Sequence, residues 1–248
     1  MLKNISVILV EPEGSLNIGM VARAMKNCGI TRLKIVNPVR YSEEDANFMA
    51  CEAKDVVAGI EFYETLEDAF ADETCTIGMT RRLSKKRTPF YYLDELGSNI
   101  LKRSKKNRCA LVFGRERTGL SNEELNACDY RVAIHTHKIC GSLNLAQAVL
   151  LACYELFKRS DEVNLQTKTK KEKMNVFAAR KMITPIYSNF DKTLQILGYQ
   201  NVKDTNLRNT VVKSFKDICG RAGLREREVN MFQGIFSRIR DKIAQEDK

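Results

Sequence analysis

The stretch FGRERTGLS, residues 113–121, closely resembles a phosphate-binding loop. Its glycines, Gly114 and Gly119, have the spacing of the pattern G-x-x-x-x-G-K-[ST], but Leu120 occupies the position of the lysine. That lysine supplies the positive charge that reaches the β- and γ-phosphates, and leucine cannot replace it. From the residues alone, the stretch is either an ordinary strand–loop–helix connection or a loop built for a different ligand.

Two further patterns bear on these alternatives. Ser121 and Glu124 have the S-x-x-E spacing of a capping box, which predicts that a helix begins directly after the loop. After the first predicted strand, Gly14 and Gly19 do not form the G-x-G-x-x-G pattern of dinucleotide-binding folds. The glycine patterns therefore support neither a nucleoside triphosphate nor a dinucleotide as the ligand.

Outward from this stretch, short apolar runs alternate with helical patterns over residues 1–160. The predicted strands are 5–10, 32–37, 74–79, 108–114 and 130–135. The predicted helices between and after them are 17–29, 43–59, 65–72, 90–105, 122–128 and 142–159, the last with Ser142 as its N-cap. Strands that are apolar throughout and separated by helices predict an α/β fold with a mostly parallel sheet.

The rest of the chain has a different character. Residues 161–174 are polar and charged without periodicity, which predicts a linker. Amphipathic helical patterns then follow at 178–199, 207–224 and 225–243. The sequence thus predicts three parts, namely a domain over 1–160, a linker over 161–174 and a small all-helical C-terminal module over 175–248.

Composition narrows the class of protein. An apolar content of 44% with 29% charged residues is typical of a soluble globular protein. No apolar run approaches the roughly 18 residues of a membrane span, and the N-terminus resembles a first strand more than a signal peptide. The eight cysteines are scattered without a C-x-x-C pair, which favours buried free thiols in the cytoplasm over disulfides or a zinc site. With only two histidines, we expect no metal centre.

The net charge of +10 is a first indication of function. Residues 1–160 carry 23 basic and 20 acidic groups, whereas residues 161–248 carry 18 and 11. Basic clusters occur at 81–87, 102–108 and 168–173. Any one cluster could be solvated surface, but three together favour a polyanionic partner such as nucleic acid.

Three stretches, each following a predicted strand, carry a family resemblance. They are EPEGSLNIGMVARAMKNCG at 11–29, LVFGRERTGLSNEEL at 111–125 and GSLNLAQAV at 141–149. Together and in this order they resemble the SpoU/TrmH family of RNA ribose 2′-O-methyltransferases, within the SPOUT superfamily. The matching motifs of that family are N-I-G-x-x-x-R, F-G-x-E-x-x-G-L-S and S-L-N-x-x-x-A.

Within the family, the chain is most similar to the TrmJ-like tRNA methyltransferases. Residues 78–90 resemble that group's T-x-R-x-R segment with altered arginine spacing, and residues 207–239 resemble its helical C-terminal extension. The resemblance implies a deep trefoil knot that binds S-adenosylmethionine in a bent pose. That ligand has no phosphates, so a lysine at position 120 would have no phosphate to bind. The knot follows from the resemblance alone, because true knots are rare among folds.

The resemblance also implies which residues bind the cofactor, on loops 79–81, 114–119 and 134–143. They are Met79, Thr80, Arg81, Gly114, Ile134, Gly141, Ser142 and Leu143. Glycine at 114 and 141 would let the main chain approach the ligand closely, although a simple turn requirement is the alternative.

For catalysis, the resemblance makes Arg23 the residue that meets the target ribose. Because an arginine pKa exceeds about 12, it is a poor general base, and we expect it to hold an RNA phosphate and orient the 2′-hydroxyl. The family is also discussed in terms of arginine as the base. Ser142 and Asn144 are expected to assist, Asn17 to brace the first loop, and Glu116 to hold Arg23 or a loop of a partner subunit. Purely structural roles are the alternatives.

The expected partners follow from the same resemblance. We expect a homodimer in which Arg23 acts across subunits, with the helix 142–158 at the interface unless its apolar face is internal core. The expected substrate is tRNA, at nucleotide 32 (cytidine or uridine) of the anticodon loop. The alternatives are ribosomal RNA as the substrate, or a non-catalytic RNA-binding protein that retains the fold.

One stretch departs from the family pattern. Where the family has I-P-x-N-P, this chain has IHTHKIC at 134–140, with His135, His137 and Lys138 at the positions of the first proline, the asparagine and the second proline. Two stiffening prolines are lost. The departure is either tolerated variation or a change in substrate or pH dependence, and a loop that closed the cofactor pocket would favour the non-catalytic alternative.

Overall fold

The computed structural model describes residues 1–81, 90–137, 139, 141–169, 175–199 and 206–246. Most of the basic cluster 81–87, together with Lys138, Cys140 and the last part of the predicted linker, lies outside the described residues. The chain forms two compact units, Met1–Met174 and Asn175–Lys248, each of which is described by itself.

The first unit contains a seven-stranded sheet. Its strands are β1 Ile5–Val10, β2 Arg32–Val36, β3 Glu61–Tyr63, β4 Cys75–Met79, β5 Tyr91–Tyr92, β6 Cys109–Phe113 and β7 Tyr130–Ala133, in the spatial order β3-β2-β1-β6-β4-β7-β5. The pairings between these neighbours are parallel. The predicted mostly parallel α/β fold is confirmed, and all five predicted strands are present. The edge strands β3 and β5 were not predicted, because two or three residues are too short to give a pattern.

In the described part of the first unit, seven α-helices accompany the sheet. They are α1 Ser15–Asn27, α2 Glu43–Ala50, α3 Lys54–Ala58, α4 Leu66–Phe70, α5 Leu93–Ser104, α6 Asn122–Ala127 and α7 Leu145–Thr169. The prediction of one helix over 43–59 is wrong, because the backbone turns at Cys51, whose φ of 50° and ψ of −113° end α2 before a 3-10 turn. The helix predicted from residue 90 begins at Leu93, since the two residues before it form β5.

Helix α7 differs from its prediction at both ends. Ser142 is not its N-cap; the side-chain oxygen of Asn144 accepts hydrogen bonds from the amides of Ala146 (2.9 Å) and Gln147 (3.4 Å). At the other end, α7 continues to Thr169, nine residues into the predicted linker. That stretch contains no glycine or proline, and extending an existing helix costs far less than starting one. The first nine residues of the predicted linker are therefore helical.

The sheet is buried on both faces, as its apolar strands require. Along β1, the side chains of Ile5, Val7 and Leu9 enter the core beneath α1, α5 and α7, whereas those of Ile8 and Val10 pack beneath α4 and α6. The cofactor loops predicted from the sequence all follow strand ends. Because these strands are parallel, their carboxyl ends lie at one edge of the sheet, where ligands bind in open α/β folds.

Residues 175–199 and 206–246 form the described part of the second unit. Its helices are α8 Arg180–Ile196, α9 Leu207–Ala222 and α10 Glu226–Glu246, which coincide with the three predicted amphipathic segments. Phe190, Phe215 and Phe236 contact one another inside it, with ring centroids 4.3–6.2 Å apart. Arg240 Nη1 donates to Asn189 Oδ1 at 3.0 Å and thereby joins α10 to α8.

Three properties of the described residues concern the class of protein. No helix among them is long and apolar enough to cross a membrane. No three of their His, Cys, Asp and Glu side chains are grouped as a metal ion would need. Seven cysteines have free thiols, six of them buried, which confirms that part of the prediction, whereas Cys51 is exposed.

Candidate active site

Three loops at the carboxyl ends of β4, β6 and β7 enclose one cleft in the first unit, here called the loop cleft. The space between the three loops is about 860 Å³ when space open to solvent is counted. The loop cleft is lined by all eight residues expected to bind the cofactor, namely Met79, Thr80, Arg81, Gly114, Ile134, Gly141, Ser142 and Leu143. Residues that lie up to 64 positions apart in the sequence thus share one site.

The loop cleft is also lined by residues that were not among the eight expected to bind the cofactor. They are Phe113, Arg115, Arg117, Thr118, Gly119, Leu120, Thr136, Leu145 and Ala148, and Glu116 lies beside them. Most of these neighbours belong to the three motif stretches, but only the fold shows which of them face the cleft.

In the loop after β6, residues 114–120, the main chain at the two ends of the loop lies very close together. A Cβ atom on Gly114 would lie 2.2 Å from the carbonyl carbon of Gly119 and 2.3 Å from the amide nitrogen of Leu120. Gly119 has a φ of 68° and its amide donates to the carbonyl of Arg115 at 2.8 Å. Gly114 is therefore required by the main chain of its own loop. The side chain of Leu120 is buried in the core, where a lysine would be costly.

Arg115 fixes this loop to its surroundings. Its guanidinium makes two hydrogen bonds of 3.0 and 3.1 Å to the carboxylate of Glu124, which in turn accepts a 2.7 Å hydrogen bond from the amide of Ser121 and completes the predicted capping box. On the other side, Arg115 Nε donates to Glu11 at 2.9 Å and lowers the pKa of that carboxyl. Arg115 occupies a variable position of the family motif, so its role could not be predicted from the motif.

We predict that Arg115→Met lowers the free energy of unfolding by about 1–3 kcal/mol at neutral pH, the usual range for hydrogen bonds to charged groups. Because Arg115 depresses the pKa of Glu11, the difference between the two proteins should shrink as the pH falls through that lowered pKa. Urea unfolding from pH 7 to pH 3 measures it. Arg117→Met is the matched control, since its side chain is 84% exposed. An equal loss in both variants would contradict the role of Arg115.

A hydrogen-bond network joins three of the predicted catalytic residues. Glu116 accepts from the amide of Glu13 and from Asn17 Nδ2, both at 2.9 Å. Asn17 Oδ1 accepts from Asn144 Nδ2 at 3.2 Å. The network links the loops after β1, β6 and β7. Glu116 thus holds Asn17 and the first loop, where the sequence led us to expect Arg23 of the same chain or a partner subunit.

The loop after β7 is also closely packed, although less tightly than the loop after β6. A Cβ atom on Gly141 would lie 3.1 Å from Thr136 Oγ1 and 3.4 Å from Arg81 Cδ. Thr136 Oγ1 donates to the carbonyl of Gly141 at 3.3 Å. Ser142, which does not cap α7, remains in the wall of the cleft. Gly141 therefore permits both the turn of its own loop and the approach of Arg81 from the loop after β4.

Arg23 lies apart from the loop cleft. It is exposed on α1, six residues after Asn17 and hence about 9 Å further along the helix axis. Its Nη1 atom donates to Cys51 Sγ at 3.4 Å. The structure therefore brings Asn17, Asn144 and Glu116 together with the cleft, but it does not bring Arg23 to the cleft of its own chain.

The two histidines leave the loop cleft open. Along the extended segment after β7, Ile134 and Thr136 line the cleft, whereas His135 and His137 are not among its lining residues. The ring of His135 stacks on Tyr92. His137 Nδ1 accepts from the amide of Ile139 at 3.4 Å. The pocket closure that would favour a non-catalytic protein is therefore absent from the described part of this loop.

Comparison with known proteins places this geometry in a family. The model of the SpoU rRNA methylase family matches residues 4–154, which contain all three loops of the cleft. The chain belongs to the SpoU rRNA methylase family. The match ends within α7, so the second unit lies outside it.

This SpoU methylase family member has relatives whose sequences match it over nearly its whole length. The tRNA (cytidine/uridine-2′-O-)-methyltransferase TrmJ from Escherichia coli is 32% identical over 241 residues, covering 96% of each chain. A solved methylase family protein from Haemophilus influenzae is 30% identical, with 99% of both chains covered and a TM-score of 0.62. TrmJ from Z. mobilis has a TM-score of 0.77 at 23% identity over 95% of this chain and 98% of its own, and shows the same fold.

Proposed function

We propose that the protein is an S-adenosylmethionine-dependent tRNA ribose 2′-O-methyltransferase. The observation that carries this proposal is the loop cleft, in which residues of three separate motifs meet at the carboxyl edge of the sheet. The relatives named as tRNA (cytidine/uridine-2′-O-)-methyltransferases support the choice of tRNA, because they match both units of the chain. A ribosomal RNA substrate is the alternative within the same reaction class.

The residues of the loop cleft fit S-adenosylmethionine. Met79, Ile134 and Leu143 offer apolar contacts for the adenine and the methionine carbon chain, and the close-packed glycine loops present main-chain groups. When bound, this cofactor supplies a methyl group on a positively charged sulfur. We further propose that the loops form the deep trefoil knot of the SPOUT superfamily, which the interleaved positions of β4, β6 and β7 in the sheet support.

The chain's own residues would orient the nucleophile. Ser142 lies in the cleft wall, and Asn144 is fixed by Asn17, which Glu116 holds in turn. We propose that Ser142 and Asn144 position the ribose, while Arg23 holds the adjacent phosphate and the 2′-hydroxyl in line for attack. Arginine keeps its proton at neutral pH, so its role is electrostatic and geometric.

We propose a homodimer in which Arg23 completes the cleft of the partner subunit. Helix α7 buries one face, including Val149 and Leu156, in the core. Its opposite face exposes Leu150, Tyr154 and Phe157 at 41%, 53% and 44%. Such an apolar stripe suits a protein interface, and α7 packs beside α1, the helix that carries Arg23.

The target within tRNA is proposed to be nucleotide 32. The second unit is proposed to contact the tRNA body, since residues 175–248 carry 14 basic and 8 acidic groups. A cytoplasmic location would follow from this function and stays a prediction.

Transfer of tritiated methyl to unmodified tRNA transcripts tests the proposed function. We expect incorporation into a transcript with a ribose at nucleotide 32 and a loss of at least about 100-fold when that nucleotide alone is 2′-deoxy, because the acceptor hydroxyl is then missing. A transcript with the 2′-deoxy substitution at nucleotide 38 is the matched control. Equal incorporation into all three would place the target elsewhere, and incorporation into ribosomal RNA alone would overturn the choice of tRNA.

A further inference from the structure

An exposed aromatic stack lies next to the loop cleft. The rings of His135 and Tyr92 are nearly parallel, at an interplanar angle of 12° with centroids 3.8 Å apart. Phe90 contacts the edge of the stack, with its centroid 6.1 Å from that of Tyr92. The side chain of His135 is 63% exposed, so one face of its ring covers Tyr92 and the other is open to solvent.

Neighbouring strands position the two rings of the stack: Tyr92 lies in β5, and His135 lies just beyond β7. Tyr92 belongs to β5, where it pairs with Ala133 at the end of β7, and its amide donates to Glu95 at 3.0 Å. His135 follows β7 by two residues, and its Nε2 lies 3.4 Å from the carboxylate of Asp94. The stack is therefore prearranged, which lowers the entropic cost of binding a third ring.

The position of the stack connects it to the site of the reaction. Ile134 and Thr136, the residues on either side of His135, both line the loop cleft. Arg81, at the start of the basic cluster 81–87, lines the same cleft. Proteins bind unstacked bases of single-stranded RNA with exposed π-surfaces and nearby cationic side chains, and here the stack adjoins a cleft that contains Arg81.

We propose that His135 and Tyr92 form a stacking platform for a nucleobase that neighbours the methylated nucleotide. The proposal rests on the proposed function, since it takes the loop cleft as the place where the target ribose enters. It also gives a reason for His135, where the family pattern has a proline: a planar ring replaces a residue that stacks less well.

The test measures stacking directly and does not depend on catalysis. Anticodon stem-loop RNAs, each with one 2-aminopurine at a loop position next to nucleotide 32, are titrated with wild-type protein, His135→Ala and His135→Phe. Because 2-aminopurine fluorescence is quenched when the base stacks, wild type and His135→Phe should quench at one position and His135→Ala should not. The Kd of His135→Ala for that RNA should rise by between about 5-fold and 150-fold, the range for losing one base–aromatic stack.

His137→Ala is the matched control, because its exposed imidazole lies in the same loop but outside the stack. It should quench like the wild type. An unchanged Kd and unchanged quenching in His135→Ala would overturn the platform, as would failure of His135→Phe to restore them. If quenching depends on His135 but no methyl group is transferred, the platform is supported and the proposed function is rejected. If methyl transfer occurs but RNA binding does not depend on His135, the proposed function is supported and the platform is rejected.

Discussion

Replacing Arg23 with alanine should lower methyl transfer to tRNA by about 100- to 1,000-fold, the usual cost of removing one group that acts in the transition state. The Kd for S-adenosylmethionine should stay unchanged. The reason for the second expectation is structural, because Arg23 is exposed on α1 and does not line the loop cleft of its own chain. Single-turnover transfer of tritiated methyl measures the first effect, and calorimetric titration measures the second.

Two variants make the Arg23 test specific. Arg23→Lys keeps the charge but loses the planar fork that holds two phosphate oxygens, so it should recover only part of the activity. Lys26→Ala removes another exposed cation one turn further along α1, where Lys26 pairs with Asp55 at 2.7 Å, and should transfer methyl groups nearly as well as wild type. Full activity of Arg23→Ala, or an equal loss in Lys26→Ala, would reject the catalytic role.

The buried parts of the fold could be predicted from the sequence because burial imposes a pattern on neighbouring residues. All five apolar runs are strands, and the capping box at Ser121 and Glu124 begins α6. The break at Cys51 could not be predicted, since a non-glycine residue with a positive φ has no compositional signal. Nor could the cap of α7, because Ser142 and Asn144 are both good N-cap residues and only the fold decides between them.

In the candidate site, too, some features could be predicted from the sequence and others could not. The family resemblance led to eight of the residues that line the cleft, because it indicates which loops meet. The partners of those residues could not be found in this way. Arg115 donates a hydrogen bond to Glu11, which is 104 positions away in the sequence. Glu116 accepts a hydrogen bond from Asn17, which is 99 positions away. Contacts between distant parts of the chain depend on the strand order, which no local pattern contains.

Gly114→Ala should weaken S-adenosylmethionine binding by about 10- to 100-fold, since displacing a site by about 1 Å costs on this order. The added Cβ would lie 2.2 Å from main-chain atoms of the same loop, and main chain cannot rotate away as a side chain can. The loop must therefore open and lose the hydrogen bond between the amide of Gly119 and the carbonyl of Arg115.

Calorimetric titration of the cofactor measures the effect of Gly114→Ala, and urea unfolding should show a loss of about 1–3 kcal/mol from overpacking. Gly234→Ala is the control, because a Cβ atom there would meet nothing within 4 Å. Unchanged cofactor affinity in Gly114→Ala, with stability reduced, would mean that the loop after β6 does not form the cofactor site.

The Gly114 and Arg23 variants together test whether one cleft is completed by two subunits. A mixed dimer of one Gly114→Ala chain and one Arg23→Ala chain can be purified with two different affinity tags. If Arg23 acts on the partner's cleft, the cleft of the Arg23→Ala chain has its own intact Gly114 and receives Arg23 from the other chain, so one cleft of the dimer is complete. At a cofactor concentration that nearly saturates the wild type but lies well below the Kd of Gly114→Ala, such a dimer should recover about half of the wild-type rate, whereas each homodimer is then much less active. If Arg23 served its own chain, each cleft would keep one defect and the mixed dimer would stay inactive. Recovered activity would also explain why Arg23 lies outside the cleft of its own chain.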